Sequence, residues 1–118
     1  MSISAAHADT FYREVKRAGT VWAVRDDAGF PAAQSDGHRV MPFWSSENRV
    51  LRVVEQVDAY RHFKVVSIPL DEWRQRWLPS LAKDGLKVGL NWSGTRATGH
   101  DVAPADVEAG LGGRSSWS

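Results

Sequence analysis

The chain has 118 residues, the size of one domain, and contains no cysteine. Disulfides, thiolate metal sites and a cysteine nucleophile are excluded, and the reducing cytoplasm is the expected setting. Fifteen Lys and Arg stand against fourteen Asp and Glu, which argues against general attraction to nucleic acid or to an anionic membrane surface.

Residues 4–18 read as a helix. Ser4 is placed to cap it, Gly19 to end it, and Ala8, Phe11, Tyr12 and Val15 form one apolar stripe at i, i+3, i+4 and i+7. Val21-Trp22-Ala23-Val24 reads as a first strand, and a loop follows from Asp26 to about Gly37. His38 to Trp44 reads as a second strand, with Pro42 at an edge or near its end because it cannot donate to a ladder. Ser45 or Ser46 then caps a helix over about 46–61, with Val50, Val54 and Val57 on its buried side.

Phe63 to Ile68 reads as a third strand, and Pro69 suits the start of the next helix. Leu70, Trp73, Trp77 and Leu81 share a face of that helix, and Pro79 within it predicts a kink or an early stop. Asp84-Gly85 turns the chain out. Leu86 to Trp92 alternates with the period of a strand, and residues 93–99 read as a loop. Pro104 opens a short last helix carrying Val107 and Leu111, and residues 112–118 are expected to form a flexible tail.

The order αββαβαβα predicts one α/β domain over residues 1–111, with α+β as the variant form. Its expected frame is a single mixed sheet of about four strands packed by three or four helices. Strand order stays open. The first residues lack a basic region followed by an apolar run, so no signal peptide is expected, and no apolar stretch approaches the ~20 residues a bilayer span needs.

No catalytic constellation stands out. There is no G-x-S-x-G elbow, and Ser45 at its strand-to-helix junction reads as a cap. His7, His38, His62 and His100 lack metal-ligand spacing, and no metal or cofactor is expected. Asp26 and Asp27 read as a solvated turn, and Gly94 to Gly99 as a plain loop. Charges are expected to pair locally on helix faces, as in Asp9 with Arg13, Glu14 with Arg17, Asp58 with Arg61 or His62, and Asp71 with Arg74.

The tryptophans carry more information. Six of them, at 22, 44, 73, 77, 92 and 117, exceed what such a core needs. Trp73 and Trp77 fall on the helical stripe. Trp44 and Trp92 sit at strand ends beside Ser45 and Ser93, where open α/β sheets meet ligands. Trp44, Ser45, Asn91 and Trp92 are therefore the candidate binding residues.

Phe11-Tyr12, Val21-Trp22-Ala23-Val24 and Met41-Pro42-Phe43-Trp44-Ser45-Ser46 form one half of a further pattern. Leu70-Asp71-Glu72-Trp73, Arg76-Trp77-Leu78-Pro79, Asp84-Gly85 and Val88-Gly89-Leu90-Asn91-Trp92 form the other. Together, over about residues 9–109, they resemble a bacterial domain-of-unknown-function family, DUF2750. The family has no established activity, so the resemblance carries over no catalytic residues. A more distant similarity, to SseB-like domains and toxin-immunity proteins, rests on the Pro-Phe-x-Ser step and a late strand ending in Asn.

The function expected from these features is a protein-binding or accessory module, of immunity type. The alternatives are a small enzyme or small-molecule binder with a pocket near Trp44, Asn91 and Trp92, and, less favoured, a single-stranded nucleic-acid binder. A homodimer would follow from an exposed strand edge or Trp patch.

Overall fold

The first helix forms around the apolar stripe that starts at Ala8 and extends ahead of it to Ile3. The computed structural model describes residues 3–35, 37–94 and 98–112, with the side chains of residues 3–7, 35, 98 and 99 outside the description. Helix α1 (Ile3–Ala18) buries Ala8, Phe11 and Val15. Ser4 falls inside this helix, not before it. Gly19 closes it at φ +70°, donating its N–H to the Val15 carbonyl at 2.8 Å.

Strands β1 (Thr20–Arg25), β2 (Ala33–Ser35) and β3 (His38–Phe43) follow. Helix α2 (Glu47–Gln56) is capped by Ser46, whose hydroxyl accepts from the Arg49 N–H. The helix is shorter than its pattern suggests. Val57 turns extended, and Asp58–Tyr60 forms a 3-10 turn, which lets Tyr60 pack edge-on against Trp44. Strand β4 (Lys64–Pro69) leads into helix α3 (Leu70–Glu72), a π-helical turn (Trp73–Trp77) and helix α4 (Leu78–Lys83), which run on without a break.

The expected stop at Pro79 does not occur. In the π turn Leu78 donates to the Trp73 carbonyl, five residues back. This wider turn places Pro79 in the first turn of a fresh α segment, where no N–H is required of it. Strands β5 (Lys87–Ser93) and β6 (Thr98–Val102) and helix α5 (Pro104–Gly110) complete the order.

The mixed α/β class is as expected, but among the described residues the strands number six and divide between two sheets. β1 pairs antiparallel with β4. The other sheet runs β2-β3-β5-β6, with β3 and β5 parallel and the rest antiparallel. An isolated bridge joins the sheets: the backbones of Trp22 and Trp44 exchange two hydrogen bonds of 2.8 Å. The expected single sheet thus becomes two sheets stitched at one residue pair. β2 has three residues without strong strand formers, and β6 contains Gly99 and Asp101. Pairing to neighbours creates both, so local propensity does not announce them.

Both faces of the sheets are covered. Phe11, Val21, Phe43, Trp73, Leu78, Val88 and Leu90 belong to one core, packed by α1, α3, α4 and α5. Val24, Val40, Trp44, Val50, Val53, Val57 and Trp92 belong to a second, packed by α2. Strand alternation sorts side chains between the two: in β3 Val40 goes to the second core and Phe43 to the first. Among the described residues no helix is long and apolar enough to cross a membrane. Residues 95–97 and, of the tail expected over 112–118, residues 113–118 with Trp117 lie outside the described residues.

Candidate functional site

The step from β3 to α2 places Trp44, Ser45 and Ser46 in succession, and β5 brings Asn91 and Trp92 to them. All four sequence candidates therefore meet. The Trp44 indole N–H donates to the Trp92 carbonyl at 2.7 Å. The Ser45 backbone N–H donates to Asn91 Oδ1 at 2.8 Å, and Asn91 Nδ2 donates to Ser45 Oγ at 3.0 Å.

A β-bulge aims Asn91. The pairing of β5 with β6 shifts by one residue between Leu90 and Ser93, because three steps on β5 face two on β6. Asn91 has φ +52°, the one non-glycine residue among those described in the left-handed region, and Asn tolerates it better than most. The same bulge moves Trp92 from the core of its alternating partners Val88 and Leu90 to the opposite core. There its ring lies against Gly89, and its indole N–H donates to Asp101 Oδ1 at 2.9 Å.

Two residues that the pattern did not single out complete the arrangement. Ser45 Oγ donates to Glu14 Oε1 at 2.5 Å. Arg49 clasps Glu14 with two bonds, Nε to Oε1 at 2.9 Å and Nη2 to Oε2 at 2.8 Å. Glu14 thus serves Arg49, 35 positions away, and not its helix neighbour Arg17. The two bonds from Arg49 are the largest influence on the Glu14 carboxyl. With the Ser45 hydroxyl, and against the opposing effect of burial, they lower its pKa from an ordinary 4.5 to about 2. The same bonds raise the pKa of Arg49.

Because the folded-state pKa is depressed, the stabilisation from this pair is fully present above the unfolded value and is lost as pH falls from about 4.5 towards 2. Glu14→Gln is expected to remove that part of the acid dependence. Urea titrations of both proteins between these pH values check it, and identical profiles would refute it. Both side chains are about a third exposed, so screening keeps the effect modest.

A carboxylate held this low is a weak base for a serine hydroxyl, and Ser45 is itself buried. The four-residue contact between α1, α2 and β5 works as a latch. Trp44 and Trp92 are buried with their indole N–H groups satisfied.

Beside the latch lies an open groove of about 460 Å³ between the end of α1 and the start of α2. Its walls carry Glu14, Arg17, Ser45, Ser46, Asn48, Arg49 and Arg52. Three arginines against one glutamate leave two positive charges. Arg49 is spoken for by Glu14, while the Arg17 and Arg52 side chains have no hydrogen bond or ion pair to another described residue. No spacing in the sequence signalled this groove, since it joins two helices about thirty residues apart.

Other depressions lie elsewhere among the described residues. One of about 330 Å³ lies along α4, between Met41, Arg76, Trp77, Ser80 and Leu86. Another of about 770 Å³ lies beside Asp26, Asp27, His62 and Lys64, where His62 Nε2 is 3.1 Å from Asp26 Oδ2. Asp26 closes a turn as expected: its carboxylate accepts from the Ala28 N–H, and its backbone exchanges two bonds with Gly29. Trp44, Asn91 and Trp92 line none of these three depressions. Among the described residues no three His, Asp or Glu side chains are grouped to hold a metal ion.

No curated protein matches the chain. Residues 8–111, which include both cores, the latch and the arginine groove, match the family model described as protein of unknown function (DUF2750), and the chain belongs to that family.

Proposed function

We propose that the chain is a protein-binding module whose recognition surface is the arginine groove together with the outward face of α2. The observation that carries this reading is the pair Arg17 and Arg52, exposed on the walls of an open groove without partners among the described residues. Guanidinium groups present several directional donors at little desolvation cost, and Arg is enriched at interfaces for that reason. Leu51, the large hydrophobic residue that is exposed among those described, lies next to Arg52 on α2. The latch supports the reading too, because it ties α2 to α1 and β5. A surface held in one conformation loses less entropy when a partner docks.

An accessory or immunity-type role, in which the module neutralises a partner in the bacterial cytoplasm, is the form this activity takes in our reading. Trp44, Asn91 and Trp92 are assigned to the scaffold, since their polar groups are used internally. Among the described residues the groove has no aromatic wall on which nucleic-acid bases would stack.

Affinity capture from the native host tests this with three baits: the wild type, Arg17→Glu/Arg52→Glu, and the equal-charge control Arg39→Glu/Lys64→Glu. A partner kept by the wild type and the control but lost by the groove variant is expected. Recovery of the same partner by all three would remove the groove from the interface, and recovery of none by folded wild type would sink protein binding itself.

A further inference from the structure

Resting on that reading, we infer that the occupant of the groove is an acidic segment of the partner protein, with at least two carboxylates and an apolar residue beside them. Charge complementarity points there. Glu14 is already neutralised by Arg49, so it does not repel an incoming carboxylate, and Arg17 and Arg52 face the groove from different helices. Two guanidinium groups on separate walls suit two separate anionic groups better than one compact anion. Both are solvent-exposed, open to a segment of chain laid across the groove. Ser46 and Asn48 on the groove walls supply further donors. Leu51, next in sequence to Arg52 and exposed outside the groove walls, offers an apolar contact to a segment that runs past the groove along α2.

The probe is a short labelled peptide of glutamates with one central leucine, followed by fluorescence anisotropy. A lysine counterpart and an oligothymidylate of equal length serve as comparisons. The glutamate peptide is expected to bind the wild type, and to weaken about tenfold or more in Arg17→Glu/Arg52→Glu. The control Arg39→Glu/Lys64→Glu changes net charge equally and should weaken binding far less. Binding should also fall severalfold between about 50 mM and about 300 mM salt, as screening shortens the reach of exposed charges. Circular dichroism of each variant establishes that it is folded.

Equal weakening by the groove variant and the control would overturn the inference, because the peptide would then be sensing net charge alone. Tighter binding of the oligothymidylate through the same arginines would overturn it in favour of nucleic acid. A captured partner that needs Arg17 and Arg52 yet is not displaced by excess glutamate peptide would overturn the acidic occupant while leaving protein binding intact. Displacement of that partner by the glutamate peptide, and not by its lysine counterpart, is the result the inference requires.

Discussion

Replacing Trp44 with alanine is expected to cost about 3–5 kcal/mol, the usual toll for removing a large aromatic side chain from a core. Domains of this kind hold only about 5–15 kcal/mol in total, so the variant should sit near the edge of folding. Trp44 is fully buried, packs edge-on against Tyr60 and donates its indole N–H to the Trp92 carbonyl. Its backbone is also the bridge between the two sheets. Trp44→Phe separates these roles. It keeps most of the apolar area and the bridge but leaves the Trp92 carbonyl without its indole donor, at about 1–3 kcal/mol. Urea denaturation of both variants measures the difference. Losses below about 1 kcal/mol for the alanine variant would mean that the second core does not depend on this side chain.

The second large effect is expected at Gly89. Its φ lies outside the left-handed region, so alanine would ordinarily be welcome in the strand. Here a Cβ would lie 2.5 Å from Cε2 and Nε1 of Trp92 and 2.8 Å from Cζ2. The ring cannot easily yield, because it is buried and its indole N–H is tied to Asp101. Gly89→Ala is therefore expected to cost about 1–3 kcal/mol or more through overpacking. The smaller side chain of Trp92→Leu should relieve most of that penalty, so a double-mutant cycle should show a coupling of about 1 kcal/mol or more. Strict additivity of the two substitutions would show that the indole does not occupy the space a Cβ needs.

The bulge at Asn91 explains why this contact could not be read from the strand pattern. Val88, Leu90 and Trp92 look like one face of a regular strand, and the first two do share a core. One extra residue on β5 sends Trp92 to the other side, where only glycine leaves room for it. Asn91 was legible as a candidate because of its place at the strand end. Its task, holding Ser45 through backbone and side chain together, depends on a φ of +52° that no local rule demands.

The charges teach the same lesson in a different currency. Asp9 with Arg13 and Asp58 with Arg61 meet at helical spacing as expected, and these pairs are solvent-exposed. Glu14 and Arg74 do not choose their near neighbours. Glu14 takes Arg49, and Arg74 takes Glu108, which is buried, at 2.6 Å. An exposed pair on one helix gains little, while a bidentate pair partly withdrawn from water gains more from each bond. The tertiary fold therefore redirects the carboxylates and leaves Arg17 exposed beside the groove.

By itself the sequence determined the α/β class, four of the strands, the main helices and their buried stripes, and the strand-end places of Trp44, Ser45, Asn91 and Trp92. Those features follow from apolar periodicity, caps and turn residues, which act over a few positions. Only the tertiary structure decided that the strands divide into two sheets, that Ala33–Ser35 and Thr98–Val102 become strands, that a π turn carries the helix past Pro79, and that Glu14 joins Arg49. Each of these is settled by groups far apart in the chain competing for the same backbone bonds, charges or space, and such competition leaves no local periodicity to read.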